Sequence, residues 1–516
     1  MALVERMTWN INTSNGFESD KVRFDVLPYL VRGGLDIGCG PKKVWPHLIG
    51  IDSGKDTQLF GVQMKPDIMV NSAERLHLFA DASADSVYSS HTLEHIENYK
   101  AALAEWWRLV KVGGYLVLYL PHRDFYPNVG QPGSNPDHKH DFVPLDIIGA
   151  MAEIAADFDL LVSEDRNGGN EYSFLQVFQK KQAGYGQAFS YDLPKPEKTA
   201  AIVRIGAKGD ALWASSPAAL LKEQGYHVTV YVATTGEEVL RHDPNVDRII
   251  TLPNSVMDDE DLLMFWANQA VKYDKWINLI GSVEQRLLFH PSSNEFFLPH
   301  KLRHQLADVN YMEMVHDYAD LPYDFRQKYF PTAEELRWAH EVRAKLPAGP
   351  LLVLNPCGSG PAKTWPHAQE FMRLMADAGV VTVLLGDTRD LELEEIEPYA
   401  VIVGTEWPVR AALAFAQLAD VVVATESMIS NAVAQEQMLK VMLLSHSSNE
   451  NLTKHWVNTA AIEPRGVLCH PCHRIHANLS FCAKDSASGC SACMASATAA
   501  TMAGFVIEQL KESKAA

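Results

Sequence analysis

Short apolar runs alternate with amphipathic stretches of helical period along most of the chain. In the first third, this pattern predicts strands at 34–38, 48–52, 86–90 and 115–120 and a helix at 99–110. Further strands are predicted at 199–204, 227–232, 248–252, 276–280, 351–355, 380–386, 401–404, 421–424 and 441–445. Strands that alternate with helices indicate mostly parallel sheets, so the expected fold class is α/β.

The length of 516 residues exceeds what one hydrophobic core supports and indicates about three domains. Gly, Pro and Lys without periodicity predict a linker at 183–198. We therefore expect a first domain over 1–182 and two α/β domains in tandem over 199–340 and 341–516.

The net charge of −19 argues against nucleic acid as a partner, because an acidic surface repels phosphate backbones. No segment approaches 18 uninterrupted apolar residues, so no membrane span is predicted. The first ten residues lack the apolar core of a signal peptide. A cytoplasmic protein is therefore expected. The oligomeric state stays open, with a homo-oligomer as one possibility.

Two of the predicted strands end in glycine-containing turns. Gly38 and Gly40 follow the first strand, and without side chains they let a ligand lie against the backbone. Asp52 ends the next strand, where a carboxylate can accept both hydroxyls of a ribose. The turn at 206–210 follows the strand at 199–204 in the same way. Such turns are where α/β sheets bind nucleotide-like ligands.

Three further segments follow the first turn in order: 85–96, 105–114 and 118–122. With 35–40 and Asp52, they resemble class I S-adenosylmethionine-dependent methyltransferases of the small-molecule type 11 group. The resemblance covers about residues 33–180 and implies a Rossmann-like domain that binds S-adenosylmethionine.

The same resemblance implies roles for individual residues. Asp36, Gly38 and Gly40 would shape the methionine pocket, and Asp52 would hold the ribose. Ala73 and Glu74, in the segment 71–74, would lie beside the adenine, although Asn71 stands where the family usually has an acidic residue.

Histidines cluster around the predicted methyl-transfer site. His91 is interpreted as a wall of the pocket or a general base, and the alternative is a conformational role after its strand. The segment 135–142 is predicted to be a loop over the site. It would either grip the substrate or provide a metal site from His138, His140 and Asp141.

Four segments of the second part of the chain follow one another at 204–210, 355–366, 384–387 and 413–427. Together they resemble glycosyltransferase family 9, the ADP-heptose heptosyltransferases. The resemblance covers about residues 200–505 and implies a GT-B pair of Rossmann-like domains, the first for the acceptor and the second for an ADP-heptose-like nucleotide sugar. One departure is that 426–431 reads ESMISN, where the family typically carries Asp-Thr-Gly-x-x-His.

This family resemblance implies an inverting sugar transfer. Asp210 would be the base that deprotonates the acceptor hydroxyl, and its alternative role is a helix N-cap. Lys363 would neutralise the departing diphosphate, and its alternative is a solvated surface lysine. Backbone amides at Gly358, Ser359 and Gly360 would add donors. In the segment 426–431, Glu426 would keep the acidic role and Asn431 the polar one, and Glu426 and Ser427 would line the donor pocket.

Five of the seven cysteines lie between positions 469 and 493. Cys469 with Cys472 and Cys490 with Cys493 form two C-x2-C pairs, a pattern typical of four-thiolate zinc or iron sites. The alternative is a set of reduced buried thiols, and Cys482 could replace any one ligand. A similar arrangement occurs in protein heptosyltransferases that modify bacterial autotransporters, where Cys-bound iron is structural. We expect a structural metal clip on the C-terminal tail.

These features predict a bifunctional sugar-tailoring enzyme. The second half would transfer a sugar to a glycan, lipid-linked or protein acceptor, and the first half would methylate the product or a precursor. One alternative is an active methyltransferase whose second half only binds a glycosylated partner. Another is an assembly protein in which both halves are inactive.

Overall fold

A computed structural model describes residues 17–30, 32–53, 58–59, 62–63, 66–155, 158–181, 197–252, 259–283, 287–388, 391–476 and 478–515. Most of the predicted linker at 183–198 lies outside these residues. Among them, none of the helices is both long and apolar enough to cross a membrane.

The chain forms two compact units, and each has its own core. The first unit contains residues 1–195 together with 255–269, and the second contains 196–254 and 270–516. The prediction had placed 255–269 in the domain over 199–340, whereas in the structure this segment groups with the first unit.

The first unit is built on one seven-stranded sheet. Its elements before the linker are α1 (Glu18–Leu30), β1 (Leu35–Ile37), β2 (Ile49–Asp52), β3 (Gln58–Leu59), β4 (Val62–Gln63), β5 (Ile68–Met69), β6 (Ala84–Ser90), α2 (Tyr99–Leu109), β7 (Val110–Pro121), α3 (Pro144–Ile154), β8 (Phe158–Arg166) and β9 (Ser173–Lys180). The strand order is β5-β2-β1-β6-β7-β9-β8, and β9 runs in the direction opposite to the other strands of this sheet.

Parallel strands place their carboxyl ends at one edge of this sheet. The residues after β1, β2 and β6 therefore lie close together, since β1 is paired with both β2 and β6. The sheet packs through apolar residues such as Leu35, Val87 and Leu118 against α2 and α3. This edge carries the first candidate site.

The second unit contains two parallel sheets. The elements of its first part, in chain order, are β10 (Thr199–Arg204), α4 (Lys208–Trp213), α5 (Ser215–Glu223), β11 (His227–Ala233), α6 (Thr234–Leu240), β12 (Arg248–Leu252), α7 (Asp259–Ala270), β13 (Lys275–Asn278), α8 (His300–Ala307), α9 (Tyr311–Ala319) and α10 (Ala333–Lys345). Most of α7 belongs to the first unit, as described above. The strand order of this sheet is β12-β11-β10-β13.

The second part continues the alternation to the end of the chain. Its elements are β14 (Leu351–Asn355), α11 (Ala368–Asp377), β15 (Val381–Leu385), β16 (Ala400–Gly404), α12 (Val409–Ala416), β17 (Val421–Thr425), α13 (Met428–Ala432), β18 (Leu439–Leu443), β19 (Thr459–Ile462), α14 (Ala492–Ala495) and α15 (Ala499–Ala515). The strand order is β16-β15-β14-β17-β18-β19. One apolar cluster includes Ile202 of the first sheet and Val353 of the second, so the two sheets share a core.

The structure confirms the α/β class and the predicted strands, three of them without any change of bounds: 199–204, 248–252 and 351–355. After the turn at 206–210 the chain forms two helices, α4 and α5, which meet at Ala214. The strand expected at 441–445 begins two residues earlier, at Leu439.

Candidate functional site

The turn after β1 has the backbone shape that only glycine adopts without strain. Gly38 and Gly40 have φ angles of +75° and +59°. A Cβ atom on Gly38 would lie 1.9 Å from Oγ1 of Thr92, so the turn packs directly on the segment that follows β6. The predicted methionine-binding turn is therefore held against that segment.

The two predicted cofactor-binding aspartates fix this turn. The backbone N–H of Val44 donates to Oδ2 of Asp36 at 2.8 Å, and that of Gly40 donates to Oδ2 of Asp52 at 3.0 Å. Asp36 is only 2% exposed, and burial raises its pKa to about 7. The sequence thus places a carboxyl group on each side of the glycine turn.

The predicted adenine segment lies beside the end of β2. The N–H of Val70 donates to the backbone oxygen of Asp52 at 2.9 Å, which brings 71–74 to the same edge of the sheet. The indole of Trp106 donates to the carbonyl of Ala73 at 2.9 Å, and Glu74 accepts from the N–H of Asn98 at 3.3 Å. The adenine contact itself stays a prediction.

His91 follows β6 directly, with a strained φ of +47°. Its Nε2 lies 2.9 Å from Oγ of Ser173, and its ring packs against those of Tyr119 and Tyr172. Burial and the nearby Lys21 hold the pKa of His91 well below its usual value. A neutral imidazole is compatible both with a base and with the conformational role, so neither alternative is removed.

The metal alternative predicted for His138, His140 and Asp141 is wrong as a ligand set. Nε2 of His140 lies 3.1 Å from the carbonyls of Ile96 and Glu97, and Asp141 accepts from the N–H of Val129. His138 instead approaches Glu94, with 3.8 Å between Nε2 and Oε1. The three side chains point to different partners because the loop at 135–142 is folded around Glu94.

The second unit contains a cavity of about 460 Å³ between its two sheets, a size typical of ligand sites. It brings together the predicted residues of the sugar-transfer site, which are far apart in the sequence. They are Asp210, Gly358, Ser359, Gly360, Lys363, Glu426 and Ser427.

Asp210 lies at the start of a helix and at the cavity, and its role as the base stays a prediction. It stands in the first turn of α4, where its Oδ2 accepts from the N–H of Ala207 at 3.0 Å. The buried guanidinium of Arg204 lies 3.5 Å from the same oxygen. The carboxylate therefore caps the helix from position N3, and it also lines the cavity.

Lys363 lies inside the cavity wall beside Glu426, and its side chain is only 16% exposed. Its Nζ is 3.4 Å from the backbone oxygen of Glu426 and 3.8 Å from its carboxylate. The surface-lysine alternative is therefore wrong, although a phosphate contact stays a prediction. The side chain of Lys363 packs directly on Gly358, because a Cβ atom at Gly358 would lie only 2.5 Å from Cδ of Lys363.

Glu426 is a buried anion. The N–H groups of Ser445 and Ser447 donate to its Oε1 at 2.9 and 3.1 Å, and the hydroxyl of Ser445 donates to its Oε2. Burial opposes ionisation, but His446, Lys363 and Ser445 outweigh it and lower the pKa to about 2. This anion holds Lys363 at the cavity wall.

Sequence reasoning missed other residues of the cavity, including Trp213, Tyr311, His446 and His476. Trp213 donates from its indole to Oδ1 of Asn431 at 3.4 Å, across the two sheets. A Cβ on Gly209 would lie 3.0 Å from Nδ2 of the same asparagine. Asn431 thus joins the two halves of the site, a role that no local motif indicates.

The cysteines that line one small cavity are not the same four that form the two C-x2-C pairs. A small cavity of about 20 Å³ is lined by Cys469, Cys472, Cys482 and Cys493, and Cys490 is not among its described lining residues. Cys490 lies in a tight turn, where its N–H donates to Oγ of Ser488 and its carbonyl accepts from Asp485. Cys482 thus lines this cavity with three of the four predicted ligands, and the ligand set itself stays a prediction.

Two family models match separate parts of the chain. The methyltransferase domain model (Methyltransf_11) matches residues 35–118, and the model for glycosyltransferase family 9 (heptosyltransferase) matches residues 292–456. The chain carries a methyltransferase domain followed by a glycosyltransferase family 9 domain. No curated protein matches it in sequence.

Several solved structures are similar to parts of the chain. Heptosyltransferase II for ADP-heptose and lipopolysaccharide from E. coli is 16% identical, with 61% of this chain and 99% of that chain covered and a TM-score of 0.42. The iron-containing dodecameric glycosyltransferase TibC from enterotoxigenic E. coli is 11% identical, covering 66% and 85%, with a TM-score of 0.41. A putative methyltransferase from Bacillus halodurans is 16% identical, covering 29% and 93%, with a TM-score of 0.23.

Some candidate residues lie within the ranges that the family models match, and others lie outside them. The methyltransferase match includes Asp36, Asp52 and His91 but ends before His138. The glycosyltransferase family 9 match includes Lys363 and Glu426, whereas Asp210 precedes it and the cysteine cluster follows it. The roles of Asp210 and of the cysteines therefore depend on the geometry described above.

Proposed function

We propose that this protein is a bifunctional sugar-tailoring enzyme. Its second unit would transfer a sugar from a nucleotide donor to an acceptor hydroxyl with inversion, and its first unit would transfer a methyl group from S-adenosylmethionine. The observation that carries the proposal is the single cavity in which Asp210, Lys363 and the turn 358–360 meet.

In the sugar transfer, Asp210 would accept the proton of the acceptor hydroxyl while that oxygen attacks C1 of the donor sugar. The bond between C1 and the diphosphate oxygen breaks, and the negative charge passes to the diphosphate. Lys363 would neutralise this charge. Its ammonium group is already directed by the buried anion of Glu426.

In the methyl transfer, S-adenosylmethionine supplies the methyl group from its sulfonium. Gly38 and Gly40 would leave room for the methionine part, and Asp52 at the end of β2 would hold the ribose hydroxyls. The carboxylate of Asp52 fits this role because it is positioned by the N–H of Gly40.

The cysteine group would hold a structural zinc or iron ion. Thiolates suit these metals, and four of them around a space of about 20 Å³ fit a single ion. The group is connected to the donor turn, since the hydroxyl of Ser491 donates to the carbonyl of Ala362 at 2.7 Å. We propose that the ion stabilises the turn that carries Lys363.

A second function is favoured by the changed segment 426–431, in which the glycine and histidine usual for the family are replaced. In that case the first unit alone would be an enzyme, and the second would bind a glycosylated partner. Capping of α4 by Asp210 also needs no sugar chemistry.

The two functions differ in turnover of nucleotide sugars. We would incubate the protein with a panel of donors that includes ADP-heptose and measure both hydrolysis and transfer. The Asp210→Asn variant keeps an oxygen for the N–H of Ala207 but cannot act as a base, so turnover should fall by about 10²-fold or more.

A matched control is Asp420→Asn, because Asp420 accepts from the N–H of Leu351 at 2.7 Å and does not line the described cavity. Equal turnover in both variants would argue against Asp210 as the base. No turnover with any donor, together with S-adenosylmethionine binding measured by thermal shift, would favour the binding-module function.

A further inference from the structure

A buried carboxyl group in the first unit lies among histidines. Glu94 is fully buried, and within the part of the chain that the structure describes neither oxygen of its carboxyl group has a hydrogen-bond partner. Buried polar atoms in proteins are nearly always paired, so such a group calls for an explanation. The catalytic and cofactor-binding roles proposed above do not use Glu94.

Three imidazoles lie around this carboxyl group, each with a ring nitrogen at the same distance from one of its oxygens. Oε1 of Glu94 lies 3.8 Å from Nδ1 of His91, from Nε2 of His95 and from Nε2 of His138. Direct hydrogen bonds between these groups would be about 2.7–2.9 Å long. The separations are therefore too long for hydrogen bonds, although the nitrogens face the carboxylate.

The same separations suit atoms that share a metal ion. Two ligand atoms that each lie about 2.1 Å from one ion can be at most about 4.2 Å apart. The ligand atoms of Glu94, His95 and His138 all lie within 4.8 Å of one another, so small side-chain movements would bring them onto one ion.

We propose that Glu94, His95 and His138 form a site for a divalent first-row transition-metal ion. Two imidazoles and one carboxylate are a ligand set of this class, and three protein ligands leave coordination positions open. His91, held by its contact with Ser173, would add a third nitrogen near the ion.

The backbone is arranged so that these ligands come together. Glu94 and His95 lie on a short 3-10 helix, Leu93–His95, directly after the turn of His91. The N–H groups of Lys139 and His140 donate to the backbone oxygen of Glu94 at 2.8 and 3.3 Å. These bonds dock the loop that carries His138 onto the helix.

The position of the site indicates what the ion would bind. Thr92, two residues before Glu94, packs on Gly38 of the methionine-binding turn. The rings of Tyr126 and Tyr172 pack against His138 and His91 and would provide an aromatic wall. We infer that a hydroxyl of the methyl acceptor occupies an open position of the ion, a binding mode that increases the acidity of the hydroxyl. This identity of the ligand rests on the proposed methyltransferase function, whereas the metal site itself does not.

The test is binding of Mn²⁺ to the full-length protein after treatment with a chelator. Mn²⁺ prefers carboxylate and other oxygen ligands over thiolates, so its binding distinguishes a site that contains Glu94 from the cysteine group. We expect about one Mn²⁺ per chain at this site, measured by the loss of the free-ion signal in electron paramagnetic resonance. Glu94→Gln and His138→Gln should each weaken binding at least tenfold.

Two variants serve as controls. His77→Gln removes an exposed imidazole of the same unit and should bind Mn²⁺ like the unchanged protein. Cys482→Ser removes a thiol of the other cluster and should also retain Mn²⁺ binding. Glu94→Gln preserves the shape of the side chain, so it decides the result if His138→Gln does not fold.

Equal Mn²⁺ binding by the unchanged protein and by Glu94→Gln would overturn the proposal, as would no Mn²⁺ binding at all. Binding of S-adenosylmethionine is measured separately by calorimetry. Its absence would contradict the methyltransferase function and leave the metal result intact. Retention of Mn²⁺ by Cys482→Ser with loss in Glu94→Gln would place the ion at this site.

Discussion

Burial raises the pKa of one aspartate of the first unit, whereas hydrogen bonding lowers the pKa of another. Asp36 is buried, and the resulting loss of hydration raises its pKa to about 7. Asp67 is exposed, and hydrogen bonds from Lys43 and from the N–H of Gly50 lower its pKa below the usual value. Of these two aspartates, Asp36 is therefore the one that changes its charge near neutral pH.

This difference predicts how the stability of the first unit depends on pH. In the unfolded chain Asp36 ionises near pH 4, whereas in the folded unit it stays protonated up to about pH 7. The contribution of Asp36 to the free energy of unfolding is fully present below pH 4. This contribution is lost as the pH rises to 7, by at most about 1.4 kcal/mol per pH unit. Asp36→Asn retains an acceptor for Val44 and should lack this loss, as measured by thermal unfolding between pH 5 and pH 8.

The control is Asp67→Asn. The lowered pKa of Asp67 gives a contribution that is constant above pH 5, so this variant should follow the pH dependence of the unchanged protein. Parallel pH profiles for Asp36→Asn and the unchanged protein would mean that Asp36 does not bind a proton in this range.

At the scale of elements, two segments bring cysteines towards the small cavity. The backbone N–H of Cys490 donates to Ser488 within the turn 485–490, and Cys482, from the preceding segment, lines the cavity with Cys469 and Cys493. We predict that Cys482→Ser lowers the zinc or iron content of the purified protein, whereas Cys490→Ser retains it. Elemental analysis of both variants measures this directly.

The reverse result, with loss only in Cys490→Ser, would restore the ligand set expected from the C-x2-C spacing. The loss of metal should also weaken donor binding, because Ser491 holds the carbonyl of Ala362 beside Lys363. Donor affinity of the two cysteine variants therefore provides a second readout with the same expected order.

The helix α7 is the element whose place the sequence did not predict. Its residue Phe265 is fully buried and packs edge-on against Phe24 of α1, with ring centroids 6.4 Å apart. Arg23 also donates to Asp261 at 3.1 Å. These contacts make residues 259–269 part of the first unit, although they lie between two strands of the second.

We predict that Phe265→Ala destabilises the first unit by about 3–5 kcal/mol, because it leaves a cavity in a packed core. The measurement is calorimetric unfolding of the full chain, in which the transition that S-adenosylmethionine shifts upward identifies the first unit. Leu263→Ala, on the same helix but 68% exposed, should have little effect. A lower transition temperature for the other unit alone would contradict the assignment of α7.

Most strands could be predicted because a buried parallel strand is a continuous apolar run, as in 351–355 and 421–424. The strand β8 was missed because its residues are mostly exposed or half-buried and its sequence is mixed. Residues in motifs, such as Asp52 and Lys363, could also be named in advance. The contact between Trp213 and Asn431 could not be predicted, and neither could the position of Cys482 at the small cavity. Both depend on contacts between segments that are distant in the sequence.

At the scale of the whole molecule, the two predicted activities share one polypeptide. Joining two active sites gives the second site access to the product of the first at an effective concentration that can reach about millimolar. The advantage disappears when the sites are on separate molecules and the protein is dilute. It can therefore be tested with two variants that each lack one activity.

Asp52→Ala should abolish methyl transfer and leave sugar transfer, whereas Asp210→Asn should do the opposite. A mixture of the two contains both activities, but the intermediate must leave one molecule and find another. We predict that the mixture forms the doubly modified product more slowly than the unchanged protein with the same number of active sites, and that the difference grows on dilution. The measurement is mass spectrometry of the acceptor over a dilution series. A mixture as fast as the unchanged protein at every dilution would mean that the intermediate is released before the second step, and that the covalent link serves another purpose.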